Sequence, residues 1–370
     1  MADDTDSSAF DAPRSEARRR LLAGLAAALS SWPRRSGTAA ASAAAAGSRP
    51  WHHLPDGTFR NPPGSPERGG TTGDWLRFFL RRLGPQPSRP TLPAGHVLSE
   101  AEALRELEAV RDHDSITWLG HASFLIRLGG RTILTDPFLG ERASPFARFG
   151  PERFAGPGLS PERLPPIDVL LLSHNHYDHL DLCTLARLGT AGTTLIMPLR
   201  LGRYLDTKRF AKALELDWMQ RVSVGGLMVT AVPAIHFSKR GLFDRNGSLW
   251  CGYHLESGDG RTLLFAGDTA YGPVFRQVAP SFRRPGLALV PIGAYEPRLL
   301  MQGSHCTPEE GVQLGRDWGA ARLCGMHWGT IQLTDEPPFE PPQRFRAAAA
   351  AAGYEPEAVW TLAIGETRLL

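Results

Sequence analysis

Six consecutive residues, His174-Asn175-His176-Tyr177-Asp178-His179, hold three imidazoles and one carboxylate. Borderline divalent ions such as zinc accept this donor set, and so dense a cluster can be shared by two ions. The chemistry to expect is that of a metallohydrolase. The cluster follows Ile167-Asp168-Val169-Leu170-Leu171-Leu172, a run of branched apolar residues that reads as a buried strand. The ligands therefore fall at a strand's carboxyl end.

Where several strand ends converge, the remaining ligands should be lone His or Asp residues directly after apolar strands. Three segments meet that description: Val232-Pro233-Ala234-Ile235-His236, Leu264-Phe265-Ala266-Gly267-Asp268-Thr269 and Leu323-Cys324-Gly325-Met326-His327-Trp328-Gly329. A single His in such a place is more often a hydrogen-bonded structural residue. Together with the dense cluster, and in this order, the three point to a metal centre.

The elements that must position these groups begin at Ser115. Strands are expected at 116–119, 124–127 and 132–135, the last two joined at Gly129-Gly130. After the cluster come a helix opening at Asp181, a strand at 194–197 and a helix over roughly 200–214. Hairpins are expected around Gly225-Gly226 and Gly258-Asp259-Gly260. Thr307-Pro308-Glu309-Glu310 is a capping box with proline at the first helical position, so a helix should start there. Hairpins early in each half, followed by alternating strands and helices, imply two sheets between helix layers.

The 370 residues, 42% hydrophobic with nine Trp, suffice for a large buried core. The formal net charge is +3, of which +2 comes from the first fifty residues, so the body is nearly neutral. Electrostatic capture of nucleic acid is not indicated. Cys183, Cys251, Cys306 and Cys324 are scattered without a Cys-x-x-Cys pair, which argues against a zinc knuckle or a disulfide framework.

Three regions differ in composition. Residues 1–50 carry Arg18-Arg19-Arg20, an uncharged stretch 21–33 and an alanine-rich tract. They resemble a twin-arginine export leader; the other reading is a low-complexity extension that stays attached. Use of the leader implies a periplasmic or exported protein, and otherwise a cytoplasmic one with contact to a membrane surface. Residues 51–110 form a Pro- and Gly-rich extension with one short aromatic helix at 74–83, expected to pack on the core or to lie on a membrane surface. Residues 111–370 are expected to form the catalytic domain.

From residue 115 onward the chain resembles the metallo-β-lactamase fold superfamily, and within it the N-acylphosphatidylethanolamine-hydrolysing phospholipase D family and its bacterial relatives. The resemblance rests on the cluster, Trp118-Leu119-Gly120-His121-Ala122-Ser123, Thr135-Asp136-Pro137, Gly267-Asp268-Thr269, Pro291-Ile292-Gly293-Ala294-Tyr295-Glu296-Pro297-Arg298 and His327-Trp328-Gly329-Thr330. It extends weakly upstream through Phe59-Arg60-Asn61-Pro62. It implies an α/β (α+β) four-layer αββα sandwich holding two zinc ions, one on His174, His176 and His236 and the other on Asp178, His179 and His327, with Asp268 bridging. The nucleophile is then a hydroxide shared by the metals, and Asp178, Asp268 and His305 are the residues expected to be catalytic.

Asp136 is expected to orient the cluster loop and its imidazoles. His305 matches a family position near the site; it either orients phosphate or protonates the leaving group, or makes a helix-entry hydrogen bond. His121 reads as a structural histidine beneath the site. Tyr295, Glu296 and Arg298 are expected to border the site, with Arg298 touching phosphate or paired to Glu296 or a neighbour. The implied substrate is a phospholipid or other phosphodiester. A lactone or small soluble substrate is the enzymatic alternative, and a metal-binding scaffold or sensor the non-enzymatic one.

Overall fold

A computed structural model describes residues 50–83, 89–146 and 148–370; the leader expected at the amino terminus lies outside them up to residue 49. Two mixed sheets of seven strands each make up the frame. The first contains β1 (Ser115–Gly120), β2 (Ser123–Leu128), β3 (Arg131–Thr135), β4 (Val169–Leu171), β5 (Thr194–Pro198) and β6 (Lys212–Leu216), with the last strand, β14 (Thr367–Leu369), beside β1. The second runs in space from β7 (Arg221–Val224) through β8 (Leu227–Val232), β9 (Gly252–Glu256), β10 (Thr262–Phe265), β11 (Leu287–Pro291) and β12 (Leu323–Met326) to β13 (Val359–Trp360). Both hairpins expected around Gly129-Gly130 and Gly225-Gly226 form, pairing β2 with β3 and β7 with β8.

Alternate residues of the first sheet enter two different cores. Ile116, Trp118, Phe124, Ile126, Ile133, Val169, Leu171 and Ile196 face the second sheet, packing with Val229, Ala231, Tyr253 and Leu255. Leu119, Leu125, Leu134, Leu170, Leu172 and Leu195 point the other way. There they are covered by Ala103 and Leu107 of α2 (Glu100–Ala109) and by Leu185 of α3 (Leu182–Arg187). A strand buried on both faces needs apolar residues at consecutive positions, which accounts for Val169-Leu170-Leu171-Leu172 before the cluster. On the second sheet, α6 (Pro308–Asp317) packs on β11 and β12, with α7 (Pro341–Ala351) against it. Two sheets between helices make the αββα sandwich.

Two expectations about elements fail. The segment expected as a helix at 200–214 forms two single 3-10 turns, Gly202–Tyr204 and Thr207–Arg209, followed by β6. Parallel pairing of all five β6 residues with β5 overrides the helical spacing, and the exposure of Lys212 and Glu215 suits an edge strand. The 51–110 stretch carries two helices, α1 (Thr72–Leu83) and α2, where one was expected. Its second helix opens with a capping box: Ser99 accepts from the Glu102 N–H, and Glu102 accepts from the Ser99 N–H.

The stretch before β1 is laid against the body. The Nε2 atoms of His52 and His53 donate to the two oxygens of Asp217, at 2.7 and 2.8 Å. Phe78 of α1 packs against Leu300 and Met301 of α5 (Arg298–Met301), and Arg81 and Arg82 pair with Asp335 at 2.7 and 3.1 Å. Pro50–Leu370 cluster as one unit.

Candidate metal centre

The loop after β4 is held at both ends. Asp136, just past β3, accepts the Ser173 N–H at 2.7 Å on one oxygen and His179 Nδ1–H at 2.7 Å on the other, which also takes the Ser173 hydroxyl. At the far end Asp181 caps α3 through the Cys183 N–H at 3.0 Å and takes the Thr184 hydroxyl at 2.6 Å. Between these anchors the chain turns tightly, with the Leu180 N–H bonded to the His176 carbonyl at 2.8 Å. Asp136 thus sets the tautomer of His179: with Nδ1 donating, Nε2 is left facing the cleft.

The other residues named from the sequence arrive from the second sheet. His236 lies beyond β8, Asp268 beyond β10, His305 before α6 and His327 directly after β12. His236 Nδ1 donates to the Ser304 carbonyl at 2.8 Å, which leaves its Nε2 free to face inward. Asp268 is the meeting point. Its Oδ2 lies 3.1 Å from His327 Nε2, 3.2 Å from His179 Nε2, 3.8 Å from His236 Nε2 and 4.0 Å from both His174 Nε2 and His305 Nδ1. His176 Nδ1 is 2.8 Å from His174 Nε2 and 3.2 Å from His236 Nε2. Asp178 Oδ2 stands 3.5 Å from His179 Nε2 and 3.6 Å from His327 Nε2.

These donors form overlapping sets of the kind that could hold a metal ion, one of them His236, Asp268 and His305, and two of them follow the sequence expectation. One is His174, His176 and His236; the other is Asp178, His179 and His327 together with His121. Asp268 lies between. Several of their inward atoms are buried without a hydrogen-bond partner: His179 Nε2, His327 Nε2, Asp268 Oδ1 and His305 Nδ1. Orphaned buried polar atoms are costly, and here they aim at one another's centre. A pair of divalent cations fits that need and this mix of imidazole and carboxylate.

Charge is shared unevenly. Burial pushes His121 and His176 down to about 3 and His236 to about 4, and holds His174 and His305 well below the usual range. Burial also opposes charge on His179, but the carboxylates of Asp268, Asp178 and Asp136 outweigh it and raise His179 well above that range. His327 rises to about 9 because Asp268 and Asp178 overcome the same penalty. Both carboxylates are held far below their usual range; burial works against ionisation, and His179 chiefly prevails over it. The cleft is thus built around two buried anions that require cations beside them.

Several sequence expectations are met differently. His121 is part of the cluster: its Nε2 is 2.8 Å from Asp178 Oδ2 and its ring centroid 4.0 Å from that of His327. Arg298 takes the second of its expected roles, a pair with a neighbour: it bonds Glu310 at 2.6 and 2.8 Å and donates to the His305 carbonyl at 2.8 Å, so it braces His305. Tyr295 is fully buried, its hydroxyl 3.0 Å from Glu340, and does not border the site. Asn61 was not singled out, yet its side-chain oxygen accepts the His236 N–H and Trp250 Nε1–H, both at 3.0 Å. Its only sequence signal is its place in Phe59-Arg60-Asn61-Pro62, upstream of the sheets. His96 and His254 donate to backbone carbonyls at 2.6 and 2.9 Å, which accounts for them outside any ligand set.

A four-layer sandwich with a His/Asp centre at the carboxyl ends of its strands defines a class of metal-binding αββα proteins. Residues 131–328 match the β-lactamase superfamily domain, and the chain belongs to that superfamily. An uncharacterized protein of Mycobacterium tuberculosis is 37% identical over 66% of this chain and 65% of its own length. The chain therefore spans just under two thirds of that relative. The N-acyl-phosphatidylethanolamine-hydrolyzing phospholipase D 1 of Caenorhabditis elegans is 32% identical over 78% of this chain and 85% of its own. Among solved structures, a metallo hydrolase from the archaeon Ignicoccus hospitalis superposes with a TM-score of 0.51 at 20% identity, covering 70% of this chain and 98% of that one. It shares the fold.

Proposed function

We propose that the chain is a metal-dependent hydrolase acting on phosphodiesters with two zinc ions, and that its substrates are phospholipids of the N-acylphosphatidylethanolamine type. The products are N-acylethanolamine and phosphatidic acid. The observation that carries the reading is the convergence of five imidazoles on Asp268 Oδ2 with buried atoms left unpartnered. The substrate class is supported by likeness to the nematode phospholipase D, which extends over most of both chains.

In this reading His174, His176 and His236 hold one ion, Asp178, His179 and His327 the other, and Asp268 serves both. Two such ions would supply an ionised water at neutral pH and neutralise charge growing on the phosphoryl oxygens. The chain's own residues set the geometry. Asp136 fixes His179, and Ser304 with Asn61 fixes His236. His305, kept neutral by burial, turns its Nδ1 edge toward the same space, where with that nitrogen protonated it would orient a phosphoryl oxygen. Phe237 closes the mouth against His176, their ring centroids 4.5 Å apart.

The surroundings of that mouth suit a lipid. On α1, Leu76, Phe79 and Leu80 are exposed, and so are Leu299 and the loop pair Leu242 and Phe243. Arg68 links the two sides, 3.6 Å from the Trp75 ring centroid and 5.9 Å from that of Phe237, with Arg245 4.6 Å over Phe237. Apolar tips flanked by arginines favour contact with an anionic membrane surface. No helix among the described residues is long and apolar enough to cross a membrane.

A substrate panel tests the proposal: N-acyl phospholipid, ordinary phospholipid, soluble phosphodiester and lactone, each with zinc-loaded protein. Release of N-acylethanolamine at the highest kcat/KM is expected. Hydrolysis of a lactone in preference to every phosphodiester would overturn the substrate assignment.

A further inference from the structure

We propose that His121 is a positioning residue of the Asp178, His179 and His327 site, with one turn of chain fixing two of its three ligands. The inference rests on the two-ion reading above.

His121 occupies the turn between β1 and β2, where the pairing register shifts between Trp118 and Gly120. Its φ of 56° lies in the left-handed region, which a residue with a side chain enters only when neighbours hold it there. Three bonds do so. The His121 N–H donates to Thr330 Oγ1 at 2.8 Å, and its carbonyl accepts Trp118 Nε1–H and the His327 N–H, both at 3.0 Å. The last bond ties His121 to a ligand that itself has a φ of 65°. Gly293 lets the chain close on that ligand: a Cβ there would stand 2.0 Å from the His327 carbonyl oxygen.

The side chain does the second half of the work. His121 Nε2 lies 2.8 Å from Asp178 Oδ2, the same oxygen that faces His179 and His327. A carboxylate oxygen accepts only, so Nε2 carries the hydrogen. The oxygen has two lone pairs; with one engaged by His121, the other would be left for an ion. Partners of this kind behind a ligand are worth about 10–100-fold in metal affinity. Apart from an edge contact with Phe138, the His121 ring meets Asp178, His179 and His327, the second set of ligands, so its effect should fall on one ion.

Two variants of the full chain separate the bond from the turn. His121→Asn accepts the left-handed conformation, but its amide is too short to reach Asp178. His121→Gln places an amide N–H near the position of Nε2. Zinc titration against a chromophoric chelator reads the two affinities. For His121→Asn, one of the two affinities should fall about 10–100-fold with the other unchanged, and His121→Gln should recover most of the loss. Wild-type affinity for both ions in His121→Asn overturns the inference. So does a His121→Gln protein with native near-ultraviolet circular dichroism that binds as weakly as His121→Asn. If the phosphodiesterase reading is wrong, two bound ions will be found without phosphodiester turnover, and the comparison of affinities still stands.

Discussion

At Asp268 one carboxylate oxygen faces five imidazole nitrogens within 4.0 Å, and its other oxygen has no partner. Without metal the pull of this carboxylate, joined by Asp178, keeps protons on His179 and His327. The sign of the consequence follows. A histidine raised to about 9 stabilises the fold below its unfolded value near 6.5, and that contribution disappears as pH rises through about 9. The depressed carboxylates are ionised throughout this window, and the depressed histidines are neutral above about 6.5 in both states. Metal-free protein should therefore lose stability between about pH 7 and 9.5, whereas zinc-loaded protein should not. Thermal melting across that range checks it, and parallel curves for the two forms would count against the charge arrangement. At this scale the convergence of the seven candidate ligands was legible because each His or Asp stands after an apolar strand or in the dense cluster. His121 and Asn61 were not, because each acts through contacts made across a long stretch of chain, His121 to Asp178 and His327 and Asn61 to His236.

The elements explain why the ligands meet. Strands β4, β8, β10 and β12 deliver their ligands at their carboxyl ends, and Asp136, Asn61 and Ser304 then fix the loops that follow. Gly293, between β11 and α5, permits the closest approach in this region, to the His327 carbonyl. Gly293→Ala should displace His327 and weaken zinc binding by an order of magnitude or more, with a modest loss of thermal stability. Calorimetric titration of the variant checks this; unchanged affinity would mean that the loop yields without moving the ligand. Most strands and both capped helix starts at Asp181 and Thr307 could be read from apolar runs and side-chain caps. The 200–214 segment could not, since its leucines and aromatics carry a helical spacing while the free edge of β5 supplies pairing that local pattern does not report. The second helix before β1 was overlooked although Ser99 and Glu102 mark its start.

Across the whole molecule, the segment before β1 is more than an appendage. It supplies Asn61 behind a ligand, clamps His52 and His53 onto Asp217, and carries the exposed apolar face of α1 beside the mouth. Phe79 is 53% exposed and Phe243 88%, so neither is needed for the core. The double variant Phe79→Asp, Phe243→Asp should fold normally and hydrolyse a soluble phosphodiester at the wild-type rate, yet lose about tenfold or more on anionic vesicles. Equal losses on both substrates would show these side chains to be structural. Turnover of N-acylphosphatidylethanolamine before chelation, after chelation and after zinc is restored shows whether two metal ions held around Asp268 perform the hydrolysis. Two zinc ions per active chain are expected, with turnover lost when they are stripped and recovered when they return; full turnover by the stripped protein would overturn the assignment.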